Sequence, residues 1–485
     1  MKIGNKLSYS DLLMLFDERI LTPIDLKINT PLKQNLLQRI CQPFYFLLNY
    51  DEDVKKYEKN IYDLDEIMKK ISLRHKNQSL HLGFFKQIKL FWNLLIYCTF
   101  AITYIAFAKK IKPSRKLNLV YGLAQEHIYL SSRTMTCLDF FEELNPLWKA
   151  ADTLVLIELR KPLLFFEKSK FNFRVVFDMS LYLLRYTSVN RFLIIAKLFI
   201  GFFYIINLSK KNSIILLISK EILLEFISRS QLPKIESLST TVSQAFVQPY
   251  LFHFLKDTPK YMYWYSNNSK TFFNKDLNTV EGDQSFVKNA KIDKHYVWTE
   301  EFGNYIMKIS GKKFQVCDYI LFYNQTVYSQ LKKIGMLIFD VTPQKRYNSA
   351  SFYSEKNSIK FIDDILEVYE ILNAKYSVGS LSLKPKRAYA KVHSTTYINR
   401  IKVLNKSGFI NSQDFDVNLL DLISQAKIVI SLPFTTASLI ANRLGVPSCF
   451  YNPDPEYNLG KIVDGIEVIH SKDDLFLFCK GALGH

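Results

Sequence analysis

A run of hydroxyl-bearing residues follows an apolar, strand-like segment in SLPFTTASLIANRLG, which occupies residues 431–445. Pro433 ends the strand pattern, and Thr435, Thr436 and Ser438 fall in the cap and first turn of the helix pattern that follows. The free backbone N–H groups and the dipole of a helix start attract anions, and hydroxyls add hydrogen-bond donors without adding charge. The stretch therefore predicts a phosphate-binding site, although ordinary threonine capping, worth about 1 kcal/mol, explains the same pattern.

A basic segment, LKPKR at residues 383–387, follows the preceding strand pattern, SVGSLSL. Pro385 holds the chain extended, so Lys384, Lys386 and Arg387 are expected to project from the strand end. Arginine binds phosphate or carboxylate through two parallel hydrogen bonds, and lysine supplies a point charge. Because ligands of parallel α/β sheets bind beyond the carboxyl ends of the strands, both segments are predicted to face one ligand. A solvated, lysine-rich turn is the alternative interpretation.

Several common catalytic motifs are absent from the sequence. It contains no GxxxxGK[ST], GxGxxG, HExxH or GxSxG, and none of its DxD sequences is assigned to a metal site beside a sugar nucleotide. The six cysteines form no CxxC pair, which argues against a zinc ribbon or a disulfide framework and favours a reducing cytoplasm. No metal ion and no cofactor is therefore predicted.

The segments around these residues alternate between strand and helix patterns, which is typical of a parallel sheet. From about residue 317 onward, short apolar runs such as MLIFDVTP and KIVISLPF are separated by helix-like runs such as SIKFIDDILEVYEILNAK. LNLVYGLA (117–124) and DTLVLIELR (152–160) begin a similar alternation earlier in the chain. We expect an α/β protein with two Rossmann-like domains that face each other across a cleft. The predicted boundaries are 1–116 for an N-terminal helical and apolar extension, 117–315 for the first domain and 316–485 for the second.

Two regions combine long apolar runs with basic residues. Residues 90–108 carry no charge and are flanked by lysines, and residues 160–235 carry 13 Lys/Arg against 4 Asp/Glu in a chain of net charge +19. Basic residues between apolar runs favour an anionic membrane surface as partner, and no nucleic-acid-binding motif is present. An interfacial or re-entrant anchor is the preferred interpretation of 90–108; a spanning helix and a buried core helix are the alternatives. For 160–235 the alternative is a pair of core helices.

The segment ISLPFTTASLIANRLGVPSCFYNP, together with KPKR and FDVTP at 339–343, resembles the polysaccharide biosynthesis "PFTS motif" proteins. More distantly, the layout is similar to bacterial sialyltransferases and β-Kdo transferases, which are GT-B glycosyltransferases that use CMP-activated acidic sugars. The resemblance implies a GT-B-like fold and implies that the basic and hydroxyl-bearing segments hold the nucleotide phosphate. It covers 317–455 and, more weakly, 117–160 and 295–306. Thr436 stands where the motif has serine, and KPKR replaces the His-Pro pair of those transferases.

The implied sugar transfer requires a carboxylate near the acceptor hydroxyl, on the opposite wall of the cleft. Two acidic residues of the first domain directly follow strand patterns, Glu126 in VYGLAQEH and Glu158 in VLIELR. We favour Glu158 because its strand is the more deeply apolar, and burial raises a carboxyl pKa toward a useful value. Arg160 either forms a structural ion pair with Glu158 or binds a donor carboxylate. Further cleft candidates are Glu300, Glu301 and Asp340.

Taken with the resemblance, these patterns predict a metal-independent glycosyltransferase of surface polysaccharide assembly, such as capsule or O-antigen. It is expected to be peripheral or monotopic on the cytoplasmic side of the inner membrane. The expected partners are a nucleotide-sugar donor, a lipid-linked saccharide acceptor and an anionic membrane surface, and no nucleic acid. A CMP-linked acidic sugar, Kdo or a nonulosonic acid, is the preferred donor; a UDP- or GDP-sugar is the alternative. A non-catalytic scaffold that binds a nucleotide or lipid is the competing class.

Overall fold

The strand and helix alternation forms two α/β domains in the computed structural model. The structure describes residues 9–17, 30–49, 84–107, 117–121, 153–158, 172–176, 183, 190–228, 234–241, 248, 250–264, 266, 272–274, 280–281, 286–317, 334–344, 352–390, 393–415 and 417–484.

The N-terminal domain is built on a seven-stranded sheet with the order β3-β2-β1-β4-β5-β8-β9. Every pairing in this sheet is parallel. The strands predicted at 117–124 and 152–160 are present as β1 and β2. The strands are β1 Leu117–Tyr121, β2 Thr153–Glu158, β3 Asn172–Val176, β4 Ile235–Thr240, β5 Lys260–Tyr263, β8 Lys294–Val297 and β9 Lys313–Val316.

The C-terminal domain repeats this arrangement with the order β12-β11-β10-β13-β14-β17-β16. All its pairings are parallel except that of β16 with β17. In both sheets the first strand lies between the second and the fourth, so the chain direction across the sheet reverses there, as in Rossmann domains. The predicted GT-B-like architecture is confirmed. The strands are β10 Ile334–Phe339, β11 Ser380–Lys384, β12 Asn411–Ser412, β13 Ala426–Ser431, β14 Ser448–Tyr451, β16 Ile462–Val463 and β17 Ile466–Ile469.

Helices cover the sheets and supply the apolar side chains of two cores, one for each domain. They are α1 Tyr9–Phe16, α2 Thr30–Asn49, α3 Phe84–Phe107, α4 Arg191–Lys211, α5 Ser219–Ser228, α6 Tyr250–Phe254, α7 Phe286–Asn289, α8 Glu300–Ser310, α9 Glu355–Tyr376, α10 Thr395–Lys406, α11 Leu419–Gln425, α12 Thr436–Arg443 and α13 Lys472–Ala482. A 3-10 helix, Ser213–Ile218, joins α4 to α5. Helix α12 ends before Gly445, whose φ of 69° suits a residue without a side chain.

A small third sheet joins the two domains. It contains β6 Phe272–Asn274 and β7 Val280–Glu281 from the N-terminal half and β15 Tyr457–Asn458 from the C-terminal half. β15 and β6 pair in antiparallel register. Side chains of the first domain also extend the C-terminal core, among them the stacked pair Tyr263 and Tyr296, whose ring centroids are 4.5 Å apart.

The apolar segments of the sequence form α3 and α4, which pack side by side and antiparallel. Arg191 Nη1 donates to the carbonyl oxygen of Ala106 over 2.7 Å, and the rings of Phe91 and Phe202 lie 6.3 Å apart. Each helix buries one face in the N-terminal core, through residues such as Ala101. By length and composition alone, both helices are long and apolar enough to cross a membrane.

The opposite faces of α3 and α4 are apolar and open to solvent. Phe85 is 85% exposed and Phe203 is 65% exposed, values that a globular core helix does not show. On α3, the hydroxyls of Thr99 and Thr103 lie on the exposed face and donate to the carbonyl oxygens four residues earlier, so they need no water. The other large exposed apolar residues are Phe84, Ile88, Phe91, Trp92, Ile96 and Phe107 on α3, and Phe192, Leu193, Phe199 and Ile200 on α4.

Candidate functional site

Three strands of the C-terminal sheet end level with one another. The last residue of β10, Phe339, is in register with Lys384 at the end of β11 and with Ser431 at the end of β13. These strands flank the point at which the chain direction across the sheet reverses, where α/β proteins bind ligands. The segments that follow the three strands therefore meet at one edge, as predicted for the basic and hydroxyl-bearing segments.

Asp340 follows β10 and holds the segments at this edge together through hydrogen bonds. It is only 3% exposed, and its carboxylate accepts hydrogen bonds from Lys386 N at 2.7 Å, Tyr397 Oη at 2.7 Å and Thr342 Oγ1 at 3.1 Å. Burial raises the pKa of Asp340, and these hydrogen bonds act in the opposite direction. The sequence predicted a cleft position for Asp340; in the structure its side chain is buried behind the basic turn and holds that turn through Lys386 N.

The basic segment presents two of its three cations to solvent. Lys386 and Arg387 are exposed, and Arg387 N donates to Thr342 Oγ1 over 3.3 Å, which holds the turn against β10. The surrounding protein desolvates the Lys386 ammonium and, with repulsion from Arg387, lowers the pKa of Lys386 to about 8, although part of the side chain reaches water. Lys384 differs from the prediction: it is buried, and its Nζ donates to the carbonyl oxygen of Phe415 over 2.6 Å.

The junction between β13 and α12 leaves a buried hydroxyl unused. Thr435 is the N-cap of α12, yet its side chain accepts no hydrogen bond from the helix. Each of the other helices described in the C-terminal domain has a side-chain cap, from Ser354, Ser394, Asn418 and Ser471. Thr435 is 6% exposed, and its Oγ1 has no hydrogen-bond partner within the described part of the chain.

The backbone around Thr435 has an unusual conformation that fixes the position of the helix start. Phe434 adopts a φ of 64°, a conformation that non-glycine residues rarely adopt. The hydroxyl of Tyr353 donates to the carbonyl oxygen of Pro433 over 2.8 Å and holds the turn in place. Thr436, half-buried, begins the helix, and the first N–H groups of a helix have no intrahelical acceptor. Ordinary side-chain capping by Thr435 is absent, and the phosphate site stays a prediction.

Ser438 has a different role from the one predicted. It is fully buried, its Oγ lies 2.6 Å from Ser431 Oγ, and it donates to the carbonyl oxygen of Cys449 over 3.0 Å. This hydroxyl has no donor left for a ligand, because a serine carries only one hydrogen on oxygen. Ser438 therefore joins α12 to β13 and β14 and positions the helix start.

Of the predicted catalytic and ion-pair residues at or after the ends of β1 and β2, the structure describes only Glu158. Glu158 is the last residue of β2 and pairs with Val176 of β3, so it lies at the carboxyl edge of the N-terminal sheet. Glu126 and Arg160 lie outside the described residues.

Glu301 makes a contact between the domains. Its Oε2 accepts a hydrogen bond from Asp464 N over 2.5 Å, and Thr299 Oγ1 donates to Asp464 Oδ1 over 2.5 Å. Glu300 and Glu301 lie in the first turn of α8, where the positive end of the helix dipole stabilises carboxylates. The cleft role predicted for Glu301 is thus replaced by a contact that links α8 to the turn between β16 and β17.

Two further side chains at the site have no motif of their own. Tyr389 lies two residues after the basic segment, and its buried Oη has no partner among the residues that the structure describes. His393 accepts a hydrogen bond at Nδ1 from Ala390 N over 3.0 Å, and burial and then Arg387 lower its pKa. Its neutral ring therefore carries the proton on Nε2. A lone tyrosine or histidine after a basic turn gives no sequence pattern that would single it out.

Comparison with protein families decides the relationship of this chain. The model of the polysaccharide biosynthesis PFTS motif proteins matches residues 196–477, which is more than half of the chain. The chain belongs to this family. The match confirms the resemblance seen at PFTT, and it includes α4 from residue 196 onward and the C-terminal site of the PFTS protein described above. Glu158 and α3 lie before the matched region. A comparison with curated proteins finds no match.

Solved structures resemble the PFTS protein only distantly. The wall teichoic acid polymerase TagF shares 8% identity over 82% of this chain and 90% of its own, with a TM-score of 0.38. Anabaena HepE in complex with UDP and glucose shares 9% over 76% and 90%, with a TM-score of 0.39. TarM shares 14% over 51% of this chain and 47% of its own, with a TM-score of 0.32. At these scores the fold assignment rests on the observed sheet order, and the similarities carry no argument about function.

Proposed function

We propose that this PFTS protein is a glycosyltransferase of surface polysaccharide assembly that binds the phosphate of a nucleotide-sugar at the start of α12. The observation that carries the proposal is the buried, unpartnered Thr435 hydroxyl at a helix start whose strand ends level with the basic turn. Donors that are oriented before the ligand arrives stabilise the charge that develops on a departing phosphate. Lys386 and Arg387 add positive charge beside this point.

The two exposed cations support a CMP-linked acidic sugar as the donor. A CMP-linked acidic sugar carries a carboxylate in addition to its phosphate, and the exposed Lys386 and Arg387 supply one cation for each. A UDP- or GDP-sugar is the alternative donor, because its second phosphate also uses two cations. Thermal shift measurements with CMP, UDP and GDP separate the two, since the nucleotide that binds raises the melting temperature. Transfer or hydrolysis of the matching sugar nucleotide separates an enzyme from a non-catalytic nucleotide-binding scaffold.

Replacing Thr435 with valine is expected to weaken nucleotide binding by about tenfold or more without lowering stability. The loss corresponds to one hydrogen bond to a charged group, about 1.5–3 kcal/mol. Stability is kept because the hydroxyl has no partner in the described structure, and valine has the same shape. Calorimetric titration of the nucleotide and thermal unfolding measure the two effects.

Ser438→Ala provides the matched control for this prediction. It removes the two hydrogen bonds that join α12 to β13 and β14 and is expected to lower the free energy of unfolding by ~1–3 kcal/mol. Nucleotide affinity is expected to fall less than in Thr435→Val, because no hydroxyl proposed to bind the phosphate is lost. If Thr435→Val binds the nucleotide as tightly as the unaltered protein, the helix start is not the phosphate site.

We further propose that the exposed faces of α3 and α4 rest on the anionic cytoplasmic surface of the inner membrane, where a lipid-linked acceptor is available. The antiparallel packing places Lys89, near the start of α3, toward the same end of the helix pair as Lys210 and Lys211 at the end of α4, and all three are exposed. Cations beside an apolar face favour anionic lipid headgroups, at about 1 kcal/mol for each. Because each helix buries its other face in the N-terminal core, an interfacial position fits better than a spanning hairpin.

The double substitution Trp92→Ser and Phe203→Ser is expected to reduce binding to vesicles that contain anionic lipid by at least tenfold. Each large apolar side chain contributes about 1.5–3 kcal/mol when it is transferred from water. Vesicle flotation measures the bound fraction. Leu477→Ser is the control, because Leu477 is equally exposed on α13 of the other domain. Unchanged flotation of the double variant contradicts the membrane surface.

A further inference from the structure

A cavity of about 640 Å³ lies on the N-terminal domain, away from the site described above. Lys260, Asp293 and Lys312 of its wall lie at the amino ends of β5, β8 and β9, or directly before them. Ligands of Rossmann-like domains bind at the opposite, carboxyl edge. The cavity is therefore separate from the cleft between the domains, and its volume is within the range of small-molecule sites.

The cavity wall is built by hydrogen bonds between segments that are distant in the sequence. Gln248 connects α2 with the loop before β8: Gln248 Oε1 accepts from Lys291 N over 2.7 Å, and its backbone bonds to Asn35 Nδ2 and Gln38 Oε1. Asp293 Oδ2 accepts from Lys260 N over 2.8 Å. These contacts fix the shape of the cavity before any ligand enters.

The charge in the cavity is strongly positive. Four lysines line it without a side-chain partner among the described residues, and a fifth, Lys260, is buried and donates to the carbonyl oxygen of Thr258 over 2.8 Å. The two acids of the wall are already used, because Asp17 pairs with Lys33 at 3.0 Å and Asp293 holds Lys260 N. The four free lysines are Lys256, Lys288, Lys291 and Lys312.

A buried histidine on α6 completes the cavity. His253 is 4% exposed, and neither of its ring nitrogens has a hydrogen-bond partner within the described ranges. Burial first, and then Lys291 and Lys260, lower the pKa of His253 to about 4, so the ring is neutral at physiological pH. A buried polar ring without a protein partner is rare in folded proteins, and its N–H is available to a ligand.

We propose that this lysine cavity binds a phosphate-bearing ligand with two or more negative charges, held by the lysine ammonium groups and by the N–H of His253. Ammonium groups that converge on a preformed cavity bind phosphate oxygens through charge-assisted hydrogen bonds. The ligand chemistry has two sources, a soluble phosphate compound and a phospholipid headgroup. Arg39 lies on α2, one turn beyond Asn35, and pairs with Glu221 on α5. Helix α5 packs next to α4, so this ion pair connects the cavity wall to the exposed apolar faces of α3 and α4.

Calorimetric titration with inorganic pyrophosphate tests the proposal. The titration uses the Arg387→Ala background, which weakens the cleft site and isolates the cavity. The added pair Lys288→Gln and Lys291→Gln is expected to reduce pyrophosphate affinity by about tenfold or more, as expected for lost bonds to a charged ligand. Lys308→Gln is the matched control, because Lys308 is exposed on α8 and does not line the cavity. An affinity that is unchanged by the lysine pair, or is lowered equally by Lys308→Gln, overturns the proposal.

His253→Leu gives a second readout that does not depend on the lysines. Removing an unpartnered buried imidazole is expected to raise the melting temperature without pyrophosphate and to reduce the further rise that pyrophosphate produces. A melting temperature shift by pyrophosphate that is identical in His253→Leu and in the parent contradicts the role of the imidazole.

Competition between pyrophosphate and vesicles identifies the source of the ligand. Pyrophosphate that lowers flotation on phosphatidic acid vesicles in a Lys291-dependent manner indicates a headgroup site. Pyrophosphate that binds the cavity without any effect on flotation indicates a soluble phosphate compound. Both results support the cavity as an anion site, and absence of pyrophosphate binding in the Arg387→Ala background refutes it.

Discussion

Replacing Glu158 with glutamine is expected to reduce sugar transfer by about 10²–10⁴-fold, which is the usual contribution of a general base, while nucleotide affinity stays unchanged. The amide keeps the shape of the carboxylate and loses its charge and basicity. Glu158 is the proposed base because it ends β2 at the carboxyl edge of the N-terminal sheet, and the phosphate site belongs to the other domain. Turnover of the sugar nucleotide and calorimetric titration of the nucleotide measure the two properties separately.

Glu236→Gln is the control for this experiment. Glu236 is the second residue of β4 in the same sheet, at the opposite end of the strands, and it is exposed. Its substitution is expected to leave turnover within a factor of about two, as is usual for surface changes of less than ~0.5 kcal/mol. Near-normal turnover of Glu158→Gln would exclude Glu158 and direct the search to Glu126.

Replacing Asp340 with leucine is expected to lower the free energy of unfolding by ~2–5 kcal/mol and to abolish measurable nucleotide binding. The substitution leaves Lys386 N and the hydroxyl of Tyr397 without their acceptor in a buried place, at ~1–3 kcal/mol for each. The basic turn loses its anchor, so Lys386 and Arg387 no longer stand beside the helix start. Chemical denaturation and calorimetric titration provide the measurements.

Asp363→Leu is the matched control in the same domain. Asp363 is paired with Arg400 on the surface, at 2.7 Å, and surface ion pairs contribute only about 0–1 kcal/mol. Asp340→Asn tests the reason for the effect, because the amide keeps an acceptor oxygen for Lys386 N and is expected to be milder than leucine. If leucine at 340 is no more destabilising than leucine at 363, the carboxylate does not hold the turn.

Local patterns were sufficient to predict the two sheets and the meeting of the basic and hydroxyl-bearing segments at one sheet edge. The apolar runs that became β10 and β13 are bounded by Pro343 and Pro433, and proline and glycine mark element ends through backbone geometry alone. Thr435 was found in the same way, because a hydroxyl at a helix start follows from spacing. The same spacing gave Ser438 a ligand role, since the sequence does not show that Cys449 O accepts its hydrogen.

Features that depend on contacts between distant residues could not be predicted from the sequence. Lys384 is tied to Phe415, and Glu301 contacts Asp464, 163 residues away. Hydropathy marked α3 and α4 as apolar all round, but only the packing shows that one face of each is buried. The lysine cavity has no recognisable sequence motif, because its lysines are spread over 57 positions from Lys256 to Lys312. Only the folded chain brings them to one cavity.

The pairing of β15 with β6 restricts how the protein can be divided for laboratory work. A fragment that begins near Ile334 would carry β15 without β6, so the strand edge at Tyr457 and Asn458 would lose its antiparallel partner. Unpaired strand edges recruit other copies of the same chain and promote aggregation. Soluble production of the C-terminal half therefore requires β6 and β7 to be supplied as well, for example as a grafted hairpin that restores the three-stranded sheet.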